Sequence, residues 1–155
     1  MDGAASVVAI VGAAATAVKV IKQLKEFVSD VQAVDQTVQG LCNEVESLQT
    51  VLELIRNSFP RIEPVVEEEG PIRRVWECVE RTGEDCSQAI GKLNQILRRL
   101  GKGSTNTYKA VVKQLKFQSE SNEIAEIRRQ LSFHQMAFQT SLTSIILYVL
   151  RSMKL

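Results

Sequence analysis

The stretch VQAVDQTVQGLCNEVESLQTVLELIRNSF, residues 31–59, decides the fold. Its apolar positions are Val31, Val34, Val38, Leu41, Val45, Leu48, Leu52, Ile55 and Phe59, separated alternately by three and four residues. Such a heptad seam runs as one stripe along a helix that packs on other helices. A strand cannot use that period, because its side chains alternate every two residues. Ser29 and Asp30 stand before the seam as cap residues. A helix is therefore expected over 30–58. Residues Asn57 to Pro71 should end it, with Pro60, Pro64, Gly70 and Pro71 as breakers and Glu67, Glu68 and Glu69 as a solvated acidic connection.

The same period returns twice. Ile72, Trp76, Val79, Gly83, Cys86, Ile90, Leu93, Leu97 and Leu100 mark a helix over 71–100, with Cys86 on its inner face. Gly101 to Thr107 read as a loop, and 107–117 as a short apolar-basic helix. Ile124, Ile127, Leu131, His134, Phe138, Leu142, Ile145 and Val149 then define a last helix over 121–153. The expected architecture is one all-α domain over 1–155, an up-and-down bundle of four long helices and one short helix. With 155 residues, 45% apolar, the chain suffices for one core and is not disordered.

The N-terminal helix, expected over 1–28, differs in kind. Gly3 to Val18 (GAASVVAIVGAAATAV) carries no charge. Ala5, Ala9, Ala13 and Ala17 recur every fourth residue beside Gly12, a face that another helix can approach closely. Sixteen helical residues span about 24 Å, short of the roughly 30 Å of a bilayer's hydrocarbon core. Only Met1 and Asp2 precede the run, so it lacks the basic start of a signal peptide. Lys19, Lys22 and Lys25 follow it. Two readings stay open. Either this is a buried Ala-rich core helix, or it leaves the bundle for a bilayer while the lysines remain at the headgroups.

Composition narrows the chemistry. The net charge of +1 joins an acidic first half (residues 1–77, 7 basic and 12 acidic) to a basic second half (78–155, 12 basic and 6 acidic). Lys92, Arg98, Arg99, Lys102, Lys109, Lys113 and Lys116 concentrate the positive charge. This patch suits a solvated face, the acidic 30–69 region, or anionic lipid. No recognition motif accompanies it, so no nucleic-acid partner is expected. Cys42, Cys78 and Cys86 form neither a C-x-x-C pair nor an even set, which points to reduced thiols. Gly101-Lys102-Gly103-Ser104-Thr105 is not a phosphate loop, because Ile96 stands where the first Gly belongs and Gly103 follows the Lys. His134, the one histidine, sits on an apolar seam, and the pairs Glu77/Glu80 and Glu123/Glu126 have no His at ligand spacing. No enzyme activity, metal or cofactor is expected.

Three segments carry a family resemblance: MDGAASVVAIVGAAATAVKVIKQL (1–24), VSDVQAVDQTVQGLCNEVESLQTVLELI (28–55) and KQLKFQSESNEIAEIRRQLSFHQMAFQTSLTSIILYVL (113–150). They resemble the N-terminal domains of fungal STAND (NLR-type) receptors of the HeLo-like group, over essentially the whole chain. That group is similar to the helical executioner bundle of the mixed-lineage kinase-like necroptosis pseudokinase. Two positions depart from it, Gly3 where proline is common and Phe117 where tryptophan is. The resemblance implies a cell-death effector of fungal incompatibility and innate immunity, cytoplasmic at rest and at the plasma membrane when active. It implies self-assembly on activation by an NLR-type receptor or an amyloid signal. It also implies membrane insertion, or pore formation, through Gly3, Val7, Val8, Ile10, Val11, Gly12, Ala14 and Val18, with Lys19, Lys22 and Lys25 against anionic headgroups. The alternative is a non-catalytic adaptor or dimerisation module whose first helix never leaves the core.

Overall fold

The computed structural model describes residues 3–30, 36–66, 70–101 and 121–152, and these form four helices. They are α1 (Gly3–Asp30), α2 (Gln36–Val66), α3 (Pro71–Gly101) and α4 (Ser121–Ser152). No strand occurs among the described residues. Each helix is about 42–48 Å long at about 1.5 Å per residue. The chain is an all-α helical bundle.

α1 packs on both α2 and α3, α4 packs on both α3 and α2, while α2 and α3 touch only lightly. The helices thus occupy the corners of a square, with α1 opposite α4 and α2 opposite α3. Lys25, late in α1, meets Glu46, early in α2. Phe59, late in α2, lies 5.3 Å from the Trp76 ring, early in α3. Glu44 and Arg128 pair near the starts of α2 and α4. Directions therefore alternate along the chain, and α1 runs parallel to its neighbour α3.

The seams converge on one core. From α2 come Leu41, Val45, Leu48, Leu52 and Ile55; from α3, Ile72, Trp76, Val79, Cys86, Ile90, Leu93 and Leu97. α4 adds Ile124, Ile127, Leu131, Phe138, Leu142 and Ile145, with His134 buried among them. Each large aliphatic or aromatic side chain taken from water contributes about 1.5–3 kcal/mol. α1 contributes differently. Ala13, Ala14 and Ala17 are buried beside Ile10, Val20, Ile21 and Leu24, so small side chains bring its backbone close to α2 and α3. Gly83 completes that approach: a Cβ there would stand 3.3 Å from Ile10 Cγ1.

One boundary differs from its expectation. α2 does not stop near residue 58 but continues through Pro60 and Pro64 to Val66. A helical proline removes one backbone hydrogen bond and costs about 3 kcal/mol. Here Pro60 and Arg56, whose carbonyl Pro60 leaves unpaired, lie on the exposed face, where water can meet that group. Phe59 meanwhile packs against the core beside Trp76. The chain turns instead at Gly70, whose φ of 149° few side chains tolerate. Pro71 starts α3, where a proline needs no amide hydrogen. Ser29 and Asp30 belong to the end of α1 rather than capping α2. The seam positions Val31 and Val34, and the short helix expected at 107–117, lie outside the described residues.

Candidate functional site: the N-terminal helix and the basic end of the bundle

Two faces of α1 can be read from Val8 to Glu26. Inward stand Ile10, Ala13, Ala14, Ala17, Val20, Ile21 and Leu24; outward stand Val8, Val11, Gly12, Ala15 and Val18. Neither face carries a charge before Lys19. The Thr16 hydroxyl donates to the Gly12 carbonyl at 3.0 Å, so even this polar side chain is satisfied within the helix. An ordinary surface helix puts charged side chains on its outer face. α1 does so only in its last turns.

Of the residues assigned to membrane insertion, Val8, Val11, Gly12 and Val18 are exposed, whereas Ile10 and Ala14 are buried. Gly3 and Val7 belong to α1, but their surroundings lie outside the described residues. Lys19, Lys22 and Lys25 are exposed, and the Lys25 ammonium sits 3.1 Å from Glu46 Oε1. Because α1 and α3 are parallel neighbours, Lys92, Arg98 and Arg99 lie toward the same end of the bundle and are exposed too. Lys102, Lys109, Lys113 and Lys116 lie outside the described residues. This end also holds the starts of α2 and α4, hence Glu44, Glu46, Glu123 and Glu126. Lys25–Glu46 shows part of the positive charge answered within the chain.

A buttress that local sequence pattern does not reveal joins α2 to α4. Arg128 donates from Nε and Nη2 to the two carboxylate oxygens of Glu44, at 3.1 and 2.8 Å. Gly40 makes room for it, since a Cβ there would come within 3.0 Å of the guanidinium. The partners are 84 residues apart, so only tertiary geometry brings them together.

Elsewhere in the bundle some buried polar atoms are left unpaired. Gln23 Oε1 on α1, and Trp76 Nε1, Glu80 Oε1 and Asn94 Oδ1 on α3, are buried without a hydrogen-bond partner among the described residues. A buried polar atom left so typically costs about 1–3 kcal/mol.

Nucleophilic chemistry finds little support in the thiols. All three cysteines are free. Burial pushes the Cys86 thiol up to about 12, and burial followed by the Glu46 carboxylate raises Cys42. Both stay protonated and unreactive at neutral pH. Cys78 is exposed and lies 3.9 Å from the Arg81 guanidinium. Burial lowers the basicity of His134, and the Asp85 charge opposes it without offsetting it. No cluster of metal-ligating side chains occurs among the described residues. An open groove of about 420 Å³ at the start of α3 is lined by Gly70, Pro71, Arg73, Arg74 and Glu77. No described helix is long and apolar enough to cross a membrane.

No curated protein and no solved structure matches the chain. A family match does exist, and it covers residues 1–154. With all but the last residue inside that match, the chain belongs to the family described as pigment biosynthesis cluster protein PigL, N-terminal.

Proposed function

We propose that the domain is a membrane-targeting cell-death effector of the HeLo-like type, whose α1 leaves the bundle, enters the plasma membrane and self-assembles there. One observation carries the reading: α1 is uncharged on its outer as well as its inner face until Lys19. A helix that only filled the core would need apolar residues on one side alone. Its uncharged stretch supports partial insertion by several copies, because Gly3 to Val18, about 24 Å of helix, falls short of a full span. Lys19 and Lys22, and the basic residues of α3 at the same end, suit anionic headgroups, each contributing about 1 kcal/mol near such a surface. On this reading the domain does no catalysis, rests in the cytoplasm, and answers an NLR-type receptor or an amyloid signal. The family's designation as an N-terminal region supports a module acting within a larger protein.

Leakage from vesicles containing acidic phospholipid tests the proposal. Gly12→Glu and Val11→Asp both place a charge on the outer face of α1, where folding tolerates it. The expected result is loss of leakage with unchanged helicity and melting temperature. Release equal to that of the parent protein would sink the proposal.

A second reading has its own observation. Ala13, Ala17, Val20 and Leu24 are wholly buried, and Gly83 is shaped to receive Ile10. That packing suits a helix that never leaves, in a non-catalytic adaptor or dimerisation module. Flotation separates the two: this reading expects no vesicle binding at any acidic fraction.

A further inference from the structure

α4 has a second seam. From Gln130 to Leu150 it carries twenty-one residues without Asp, Glu, Lys or Arg, and its inner stripe accounts for only one side. On the other side Phe133, Met136, Leu147 and Leu150 stand 69%, 65%, 56% and 56% exposed. Thr140 and Thr143, also exposed, lie between them. The six positions are spaced three, four, three, four and three, so they form a straight stripe about 26 Å long, opposite the core. Scattered exposed apolar residues are ordinary; a stripe of them at heptad spacing is not.

Heptad spacing selects a helix as the occupant. The order of the six residues selects which helix. About its midpoint between Thr140 and Thr143 the stripe reads alike in both directions: large, large, small, small, large, large. Laid antiparallel against a second copy, it sets Phe133 on Leu150, Met136 on Leu147 and Thr140 on Thr143. The threonines then mark the place of closest approach. The Thr143 hydroxyl is already spent on the Gln139 carbonyl at 2.8 Å, so its methyl can face the partner without stranding a donor. Because the stripe is uncharged, a second copy brings no like-charge repulsion and needs no complementary partner. A face that fits itself this way is what a two-fold dimer requires.

We infer that the outer face of α4 is the interface of an antiparallel homodimer of this chain. It stands on α4 alone and needs nothing of the α1 reading. Its strength follows from its size. With large side chains worth on the order of 150–250 Å² each, the exposures leave on the order of 400 Å² of apolar surface per copy. Two copies with their flanks reach about 1,000 Å², the lower edge of a specific interface. The dimer is therefore weak and concentration-dependent.

Sedimentation of the full chain across the micromolar range tests this. The expected result is reversible monomer–dimer exchange, with Leu147→Glu and Phe133→Glu each weakening association at least about tenfold. Both positions are exposed, so the melting temperature of the monomer should not move. Orientation is read by oxidation in a Cys78→Ser background. A mixture of Met136→Cys and Leu147→Cys proteins should yield the mixed disulfide in preference to either homodimer. A monomer at every concentration, or a dimer indifferent to Leu147→Glu, overturns the inference. So does a monomer that Leu147→Glu destabilises, which would mean the face is covered within the chain. Leu147-dependent binding of a monomer to phospholipid vesicles would assign the face to a membrane and overturn it equally.

Discussion

α1 and α4 both run for many residues without a charge, and they use that neutrality in opposite ways. In α1 the neutral stretch is built from Ala, Gly and Val, and its buried face includes three small side chains, Ala13, Ala14 and Ala17. In α4 the buried stripe is large, with Leu131, Phe138 and Ile145, and the exposed stripe is large as well, with Phe133, Met136 and Leu147. Absence of charge is common to both helices, and what separates them is the size of the side chains on the buried face. Small residues mark where backbones close up, and large exposed ones mark where a surface is still to be covered.

The sharpest way to break this comparison lies within α4. Phe138→Ala empties a fully buried site and should cost about 3–5 kcal/mol. Phe133→Ala, five positions earlier but on the outer stripe, should change the monomer by no more than about 0.5 kcal/mol. Urea denaturation of dilute protein checks both. Equal losses would dissolve the distinction between the two faces.

Next in size is the close approach of α1. Ala13→Leu adds volume where the α1 backbone meets its neighbours and should destabilise by about 1–3 kcal/mol. Ala15→Leu, two positions on and exposed, should be close to neutral. Thermal melts of the pair settle whether small size is required on the inner face alone.

The smallest effect is one of pH, and it belongs to α4, since α1 buries no titratable group between Val8 and Leu24. His134 is less basic in the fold than its ordinary value of 6.5, because burial disfavours the charged ring while Asp85 only partly compensates. A lowered folded-state value means that the unfolded chain binds the proton more readily. His134 therefore contributes stability in full above pH 6.5, and that contribution is lost as the pH falls through the folded-state value. Melting temperatures followed downward from neutral should decline, and His134→Gln should flatten the decline in the window just below 6.5.

Much of this architecture was legible as period. The three heptad seams name most of the buried positions of α2, α3 and α4, because each stripe must face the same core, but they miss Cys42, Val51, Ala89 and Ile96 beside them. The end of α2 was not legible by that route, since Pro60 and Pro64 read as stops. The three-and-four spacing in fact runs on from Phe59 to Ile62 and Val66, a signal that outweighs two prolines when the freed carbonyl of Arg56 lies on the wet side. Gly40 and Arg128 carry no local mark of their partnership with Glu44, since separation of 84 residues leaves nothing for a sequence window to detect. The outer stripe of α4 was within reach. A helix already explained by one seam invites no search for a second, yet the uncharged run from Gln130 to Leu150 announces it.

The central claim is that α1 is a core helix at rest and a membrane helix in action. Its most direct test is a reversible lock where α1 comes closest to α3. Ile10→Cys paired with Gly83→Cys, in a chain whose three native cysteines are replaced, joins the two helices where a Cβ on Gly83 would stand 3.3 Å from Ile10. Leakage of acidic vesicles is then measured with the lock oxidised and again after reduction. Leakage abolished by oxidation and restored by reduction is the predicted result; leakage that persists with α1 locked in the bundle would contradict the account.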